Sequence, residues 1–109
     1  MKETRLYLLQ RLSAMILAPL VLVHLGLVIY AVRGGLSAAE ILSRTQGSLF
    51  WMLFYGLFVV AVAVHAPIGL RNVLREWTPW RGRGLDWALA AIACLLLALG
   101  LRAVAAVVL

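Results

Sequence analysis

The stretch LFWMLFYGLFVVAVAVHAPIGL, residues 49–70, decides the fold of this chain. It contains no Lys, Arg, Asp or Glu. About 20 consecutive apolar residues in a helix cross the hydrocarbon core of a bilayer. Two further apolar runs, residues 12–32 and 87–109, flank it. The sequence therefore predicts an all-α integral membrane bundle of three transmembrane helices, built as a single membrane-anchor domain over residues 1–109.

The overall composition agrees with a membrane protein. Hydrophobic residues make up 65% of the chain and charged residues only 13%, and the mean hydropathy is +1.04. A soluble core of this size would need more polar residues to cover it. The first run is too long for a cleavable signal peptide and has no small-residue cleavage site after it. The lone cysteine, Cys94, lies in the third run, so we expect no disulfide framework.

The positive charges are distributed unevenly about the three runs. Seven basic residues precede the first run or separate the second from the third: Lys2, Arg5, Arg11, Arg71, Arg75, Arg81 and Arg83. The positive-inside rule then predicts a cytoplasmic N-terminus and a C-terminus on the outer side. This topology explains the net charge of +6, and we expect no nucleic-acid partner.

Two histidines, His24 and His65, each lie within an uncharged apolar run. Ionisable side chains are rare inside membrane spans and mark functional sites there, so both histidines are candidates for a functional role. The alternative is a neutral imidazole that bridges two helices. Proton pumping is disfavoured because the apolar runs contain no carboxylate. A structural zinc site needs about four protein ligands, whereas haem iron needs only one or two axial imidazoles. We therefore predict that both histidines are axial ligands of haem iron.

Helical periodicity places polar residues beside the second histidine. At 100° per residue, one stripe of the helix carries His65, Gly69, Asn72 and Glu76. Gly69 would let a flat macrocycle approach the helix. Arg71 and Asn72 fall near the cytoplasmic surface, where haem propionates would emerge. We therefore predict that Gly69, Arg71 and Asn72 contribute to cofactor binding.

The two histidines are predicted to lie at different depths. Arg11 and Arg71 should mark the cytoplasmic surface, which places His65 about 9 Å deep and His24 about 20 Å deep at 1.5 Å per residue. A difference in depth of roughly 10 Å disfavours a single haem bound by both imidazoles. If both ligate iron, they serve two stacked haems, each with a second ligand from another chain.

Two motifs resemble those of a known family, the cytochrome b membrane-anchor subunits of succinate:quinone oxidoreductases, of the cytochrome b556 type. YLLQRLSA, residues 7–14, is similar to the family's S-x-x-H-R-x-[ST]-G. HAPIGLRNVLRE, residues 65–76, is similar to H-x-x-x-G-x-R-H-x-x-x-D. The resemblance covers essentially the whole chain. Five positions depart from the two patterns: Tyr7, Gln10, Ala14, Asn72 and Glu76.

The resemblance implies roles for individual residues. His65 matches the axial haem b ligand, and Arg71 matches the arginine of the same motif. Arg11 matches an arginine at the quinone site and near the haem propionates, and Ser13 matches the small hydroxyl residue beside it. His24 is similar to a span-one histidine of two-haem members. The cofactor implied is therefore haem b, one or two per complex and shared with a partner chain.

The resemblance also implies an electron-transfer function within succinate dehydrogenase or fumarate reductase of the tricarboxylic acid cycle. Electrons from succinate oxidation would pass through a flavoprotein and an iron–sulfur subunit to a membrane quinone near Arg11, with Ser13 and Tyr7 as further quinone contacts. The chain would have no catalytic residue and no activity alone. A second anchor subunit, or a second copy of this chain, would complete the site.

Other functions stay open at this point. A haem-free structural anchor would use both histidines only to bridge helices. A small cytochrome b subunit of another respiratory oxidoreductase would also need haem ligands, although such subunits usually have more spans. A small multidrug transporter is disfavoured because it needs four spans and an acidic residue in the first. The bias of the basic residues toward arginine favours a bacterial cytoplasmic membrane, with lipid and quinone as further partners.

Overall fold

Four α-helices account for the regular structure in the computed structural model, which describes residues 2–109. The helices are α1 (Lys2–Gly34), α2 (Ala38–Thr45), α3 (Leu49–Trp77) and α4 (Arg83–Val108). No strand occurs within those residues. The three long helices contain the three predicted spans, and each is long and apolar enough to cross a membrane. The predicted all-α three-span fold is therefore confirmed.

Short polar and glycine-containing segments end the helices. α1 ends at Gly34, and Gly35 follows with a φ of 119°, which favours glycine. Ser37 then caps α2: its Oγ accepts from the backbone N–H of Glu40 at 3.2 Å and donates to the Glu40 carboxylate at 2.7 Å. This side-chain cap satisfies a backbone N–H group that the start of a helix leaves unpaired, and it begins the short helix between the first two spans.

The central helix of the bundle is α3, which packs against α1 on one side and against α4 on the other. The partly or fully buried positions of α1 form one stripe: Leu6, Gln10, Ser13, Leu17, Leu20, Leu27 and Ala31. Their spacing alternates between three and four residues, with His24 filling the one gap, so a single seam faces α3. The two predicted motifs therefore lie on neighbouring helices.

The opposite side of α3 packs closely on α4. A Cβ atom added at Gly100 would fall onto the side chain of Val59, at 2.9 Å from Cγ2 and 3.2 Å from Cβ. At the far end, α2 is bonded to the C-terminus of α4, since Thr45 Oγ1 donates to the carbonyl of Val107 at 2.6 Å. The backbone N–H of Gly47 donates to the carbonyl of Val108 at 2.7 Å. These bonds satisfy carbonyls that the end of a helix leaves unpaired.

The outward surface of the bundle is apolar, as a hydrocarbon solvent requires. Leu22 is 70% exposed and Phe50 is 66% exposed. The molecule is 48 Å long, close to the roughly 40–45 Å thickness of a bilayer with its headgroups. Length, apolar surface and three spanning helices together define a multi-pass membrane protein. We call the end that carries the N-terminus of α1 the basic end, and the opposite end the α2 end.

The contact between Gly100 and Val59 predicts a steric requirement for glycine. We expect Gly100→Ala to lower the thermal stability of the detergent-solubilised protein, because overpacking a close helix contact costs about 1–3 kcal/mol. Gly56→Ala on α3 is the matched control, since a Cβ there meets nothing within 4 Å. Equal melting temperatures for the two variants would contradict the close approach of α3 and α4.

Candidate functional site

The motif histidine His65 is joined across the seam to Ser13. Its Nδ1 lies 3.2 Å from Ser13 Oγ, and the same hydroxyl donates to the backbone carbonyl of Gln10 at 3.0 Å. Ser13 is only 5% exposed, whereas His65 is partly exposed. Within residues 2–109 no hydrogen bond reaches His65 Nε2. The ring is thus held through one nitrogen and keeps the other available.

Gln10, which departs from the family pattern, lies one turn from Ser13. Its amide nitrogen is 3.4 Å from the point where a Cβ on Gly69 would sit, so the open side of Gly69 faces this amide. Its Oε1 is buried and has no hydrogen-bond partner among the described residues. A buried acceptor without a donor is costly in an apolar surrounding. The Gln10 oxygen therefore lacks a hydrogen-bond donor among the described residues.

A small polar cavity opens next to Gln10 toward the basic end. It has a volume of about 210 Å³ and is lined by Glu3, Leu6, Tyr7, Gln10, Ile68 and Asn72. Two predicted site residues, Tyr7 on α1 and Asn72 on α3, therefore face one cavity, although Tyr7 remains 61% exposed. Arg11 does not line this cavity. It lies exposed on α1, about 3 Å closer to the basic end than Ser13 at 1.5 Å per residue.

The motif arginine Arg71 lies in an ion cluster that joins the three long helices. It is 8% exposed and donates to both carboxylate oxygens of Glu3, at 2.7 and 3.2 Å. Its Nε lies 3.7 Å from an Asp86 oxygen, and Asp86 also pairs with Lys2. Paired N–H groups in this fork geometry hold a carboxylate firmly. A propionate at Arg71 would compete with Glu3 for the same two donors.

The second histidine, His24, lies on the same face of α1 as Ser13 but much nearer the α2 end. Its ring meets the edges of Tyr55 and Phe58, with ring centroids 6.2 and 5.4 Å apart. It lines two neighbouring clefts of about 330 and 410 Å³. In this chain alone the residue is exposed. Among the described residues, none forms a hydrogen bond with its ring nitrogens.

The register of α1 against α3 separates the two imidazoles. Ser13 marks the level of His65 on α1, and His24 is eleven residues further along the same helix. At 1.5 Å per residue this is about 16 Å. One iron atom binds axial nitrogens on opposite faces of a single plane, so the two rings do not reach a common iron within this chain.

Haem b is the group that the resemblance implies, and the donor set at His65 fits it. A haem ligand needs an unprotonated nitrogen that points away from the protein contact holding the other nitrogen. His65 meets this condition through Ser13, and it remains partly exposed for a ligand shared with another chain. The group would supply one-electron transfer when bound. The fit is weaker at His24, where no polar contact fixes the ring.

Three residues around the site, Gln10, Glu3 and Asp86, were not predicted, and helix periodicity could have found one of them. Gln10 and Ser13 share one stripe of α1 with buried Leu17, a spacing that is visible in the sequence. Glu3 and Asp86 carry no such signal. Their pairing with Arg71 joins residues far apart in sequence, so only the packing of the three helices shows it.

These observations define a class, a helical membrane protein with three spans and a histidine within each of the first two. The family model described as succinate dehydrogenase/fumarate reductase transmembrane subunit matches residues 2–105. The chain therefore belongs to this family and is the membrane subunit of a complex with other subunits. Comparison with curated proteins finds no match, and comparison with solved structures finds none either.

The ion cluster predicts a pH-dependent contribution to stability. The hydrogen bond from Arg71 holds the pKa of the Glu3 carboxyl, which precedes the apolar segment, below its usual value. The ion pair between Glu3 and Arg71 therefore contributes its full stability at pH values above the ordinary carboxyl pKa. This contribution is lost as the pH falls through the lowered pKa of Glu3. We expect Glu3→Gln to lower the melting temperature at neutral pH and to weaken its dependence on acid pH.

The control for this prediction is Glu76→Gln, because Glu76 is exposed and forms no ion pair within residues 2–109. In an Arg71→Gln background, Glu3→Gln should have a smaller effect than in the wild type. Additive effects of the two substitutions on the melting temperature would show that the pair does not stabilise the bundle.

Proposed function

We propose that this chain is the haem b-binding anchor of a succinate:quinone oxidoreductase, and that His65 is an axial ligand. The observation that carries the proposal is the contact of His65 Nδ1 with Ser13 Oγ, which leaves Nε2 without a partner in the described chain. Family membership supports it independently. Haem bound there would carry single electrons between an iron–sulfur donor and a membrane quinone.

The residues near His65 would orient the group. Because His65 is partly exposed, haem held by it would lie at the surface of this chain, and a second anchor subunit or a second copy would supply the remaining ligand. Gln10 and Asn72 line the adjoining polar cavity, and their amide N–H groups would donate to a propionate. Gly69 leaves space for the Gln10 side chain, whose amide nitrogen lies 3.4 Å from the point where a Cβ would sit. We assign Arg71 mainly to holding the helices together.

A quinone would bind on the exposed flank of α1 that carries Tyr7 and Arg11. The side chains are one turn apart and both exposed, at the basic end that we infer to be cytoplasmic. Arginine is a permanent cation with several donors, which suits a quinone carbonyl that gains negative charge during reduction. An iron–sulfur subunit with its flavoprotein would dock at this end, in a bacterial cytoplasmic membrane.

We propose that His24 serves a second haem at the level of its two clefts. The support is its exposure, its distance of about 16 Å from His65 along α1, and the aromatic rings of Tyr55 and Phe58 beside it. The competing function, a haem-free anchor, is favoured by one observation: Ser13 already bonds His65 across the seam. Haem analysis of histidine variants separates these possibilities.

We expect His65→Ala to remove one haem b from the purified complex, because the iron would lose an axial nitrogen. The measurement is the reduced-minus-oxidised absorption spectrum, with co-purification of the flavoprotein and iron–sulfur subunits as the test of assembly. His24→Ala is the matched variant and should remove a spectrally distinct component. Loss of the same single haem in both variants would refute two sites. An assembled complex without any haem α-band would refute the cytochrome function.

We expect Arg11→Leu to lower kcat/KM for quinone without loss of haem. A lost hydrogen bond to a charged group costs about 1.5–3 kcal/mol, which corresponds to about 10- to 100-fold. Arg5→Leu on the same helix is the control, since Arg5 is exposed and nearer the helix end. Equal quinone kinetics in the two variants would remove Arg11 from the quinone site.

A further inference from the structure

We infer that Ser13 is a positioning residue that fixes the tautomer of His65, so that Nδ1 carries the proton and Nε2 faces the iron. This inference rests on the proposed function of His65. It assigns Ser13 to the imidazole, whereas the motif alone placed it with the quinone contacts. The support is two successive hydrogen bonds. The first joins the His65 ring to the Ser13 hydroxyl, and the second joins that hydroxyl to the backbone carbonyl of Gln10 on α1.

The Gln10 carbonyl determines which atom donates in each of the two hydrogen bonds. The carbonyl of Gln10 can only accept, so the hydrogen bond at 3.0 Å requires the Ser13 hydroxyl to donate to it. A serine hydroxyl has a single hydrogen. The contact at 3.2 Å between Ser13 Oγ and His65 Nδ1 is then satisfied only if Nδ1–H donates to Oγ. A neutral imidazole carries one proton, which leaves the lone pair on Nε2 for a metal.

The surroundings make this arrangement rigid. Ser13 is buried in the seam, where water does not compete for its hydroxyl. Leu17 follows one turn later and is also buried, which holds the helices at this level. If the hydroxyl instead donated to Nδ1, the proton would lie on Nε2 and the ring could not ligate. The bond to the Gln10 carbonyl therefore selects the ligand form before any iron binds.

The hydrogen bond from His65 Nδ1 to Ser13 also predicts an effect on the reduction potential of the haem. An imidazole that donates a hydrogen bond from Nδ1 becomes a stronger electron donor through Nε2, which favours oxidised iron. Removing the acceptor should therefore raise the reduction potential of the haem at His65. Loss of such a contact also weakens metal binding by about 10- to 100-fold. Both effects can be read without measuring turnover.

The test compares Ser13→Ala with Ser13→Thr in membranes that contain the whole complex. Potentiometric titration of haem b should show a positive shift for Ser13→Ala and a value near wild type for Ser13→Thr, which keeps a hydroxyl. Haem dissociation from Ser13→Ala should be faster. Leu17→Ala is the packing control, because it loosens the same seam without touching the two hydrogen bonds.

An unchanged potential in Ser13→Ala, with haem still lost from His65→Ala, would overturn the inference and leave the proposed function intact. A shift in Leu17→Ala equal to that in Ser13→Ala would also overturn it, since packing alone would then explain the result. Full haem content in His65→Ala would refute the proposed function itself. The three results are distinguishable in one set of variants.

Discussion

The packing of α1 against α3 along one seam is the constraint on which the rest of the structure depends. Hydrocarbon offers no hydrogen bonds, so polar side chains within the bundle must find partners on a neighbouring helix. The seam supplies them at two levels, where Glu3 meets Arg71 and Ser13 meets His65, whereas the buried oxygen of Gln10 has no partner among the described residues. A slip of one residue would rotate these side chains out of contact. The register of α1 against α3 therefore determines both the pairing of Glu3 with Arg71 and the contact of Ser13 with the His65 ring.

The ion cluster gives the motif arginine a structural role within this chain. Arg71 is buried while Glu3 and Asp86 lie closer to solvent, so the pairs close the basic end without burying an uncompensated charge. Because Arg71 is paired with these acids, haem bound as we propose would take its polar contacts from Gln10 and Asn72. Both residues depart from the family pattern, and both line the same cavity. The ion cluster and the two departures from the family pattern therefore belong to one arrangement, in which Arg71 pairs with acids while Gln10 and Asn72 line the cavity.

The chain is a membrane subunit that leaves one face of its bundle uncovered. α3 is covered on two sides, but α1 contacts little besides α3, and the two histidines remain partly or fully exposed. A membrane subunit of a multi-subunit complex is expected to leave such a face for its neighbours. The haem sites that we propose would therefore lie at interfaces between this chain and its neighbours.

The sequence by itself determined the three spans, because each apolar run contains about 20 residues or more, enough for a helix to cross the hydrocarbon core. The motifs also drew attention to His65 and Arg71 as residues. The tertiary structure decided what these residues touch. Ser13 was predicted beside a quinone and is found at His65, and Arg71 was predicted near propionates and is found with Glu3. Spacing along one helix is local and readable, whereas the level at which two helices meet depends on packing across the whole seam, which no single motif encodes.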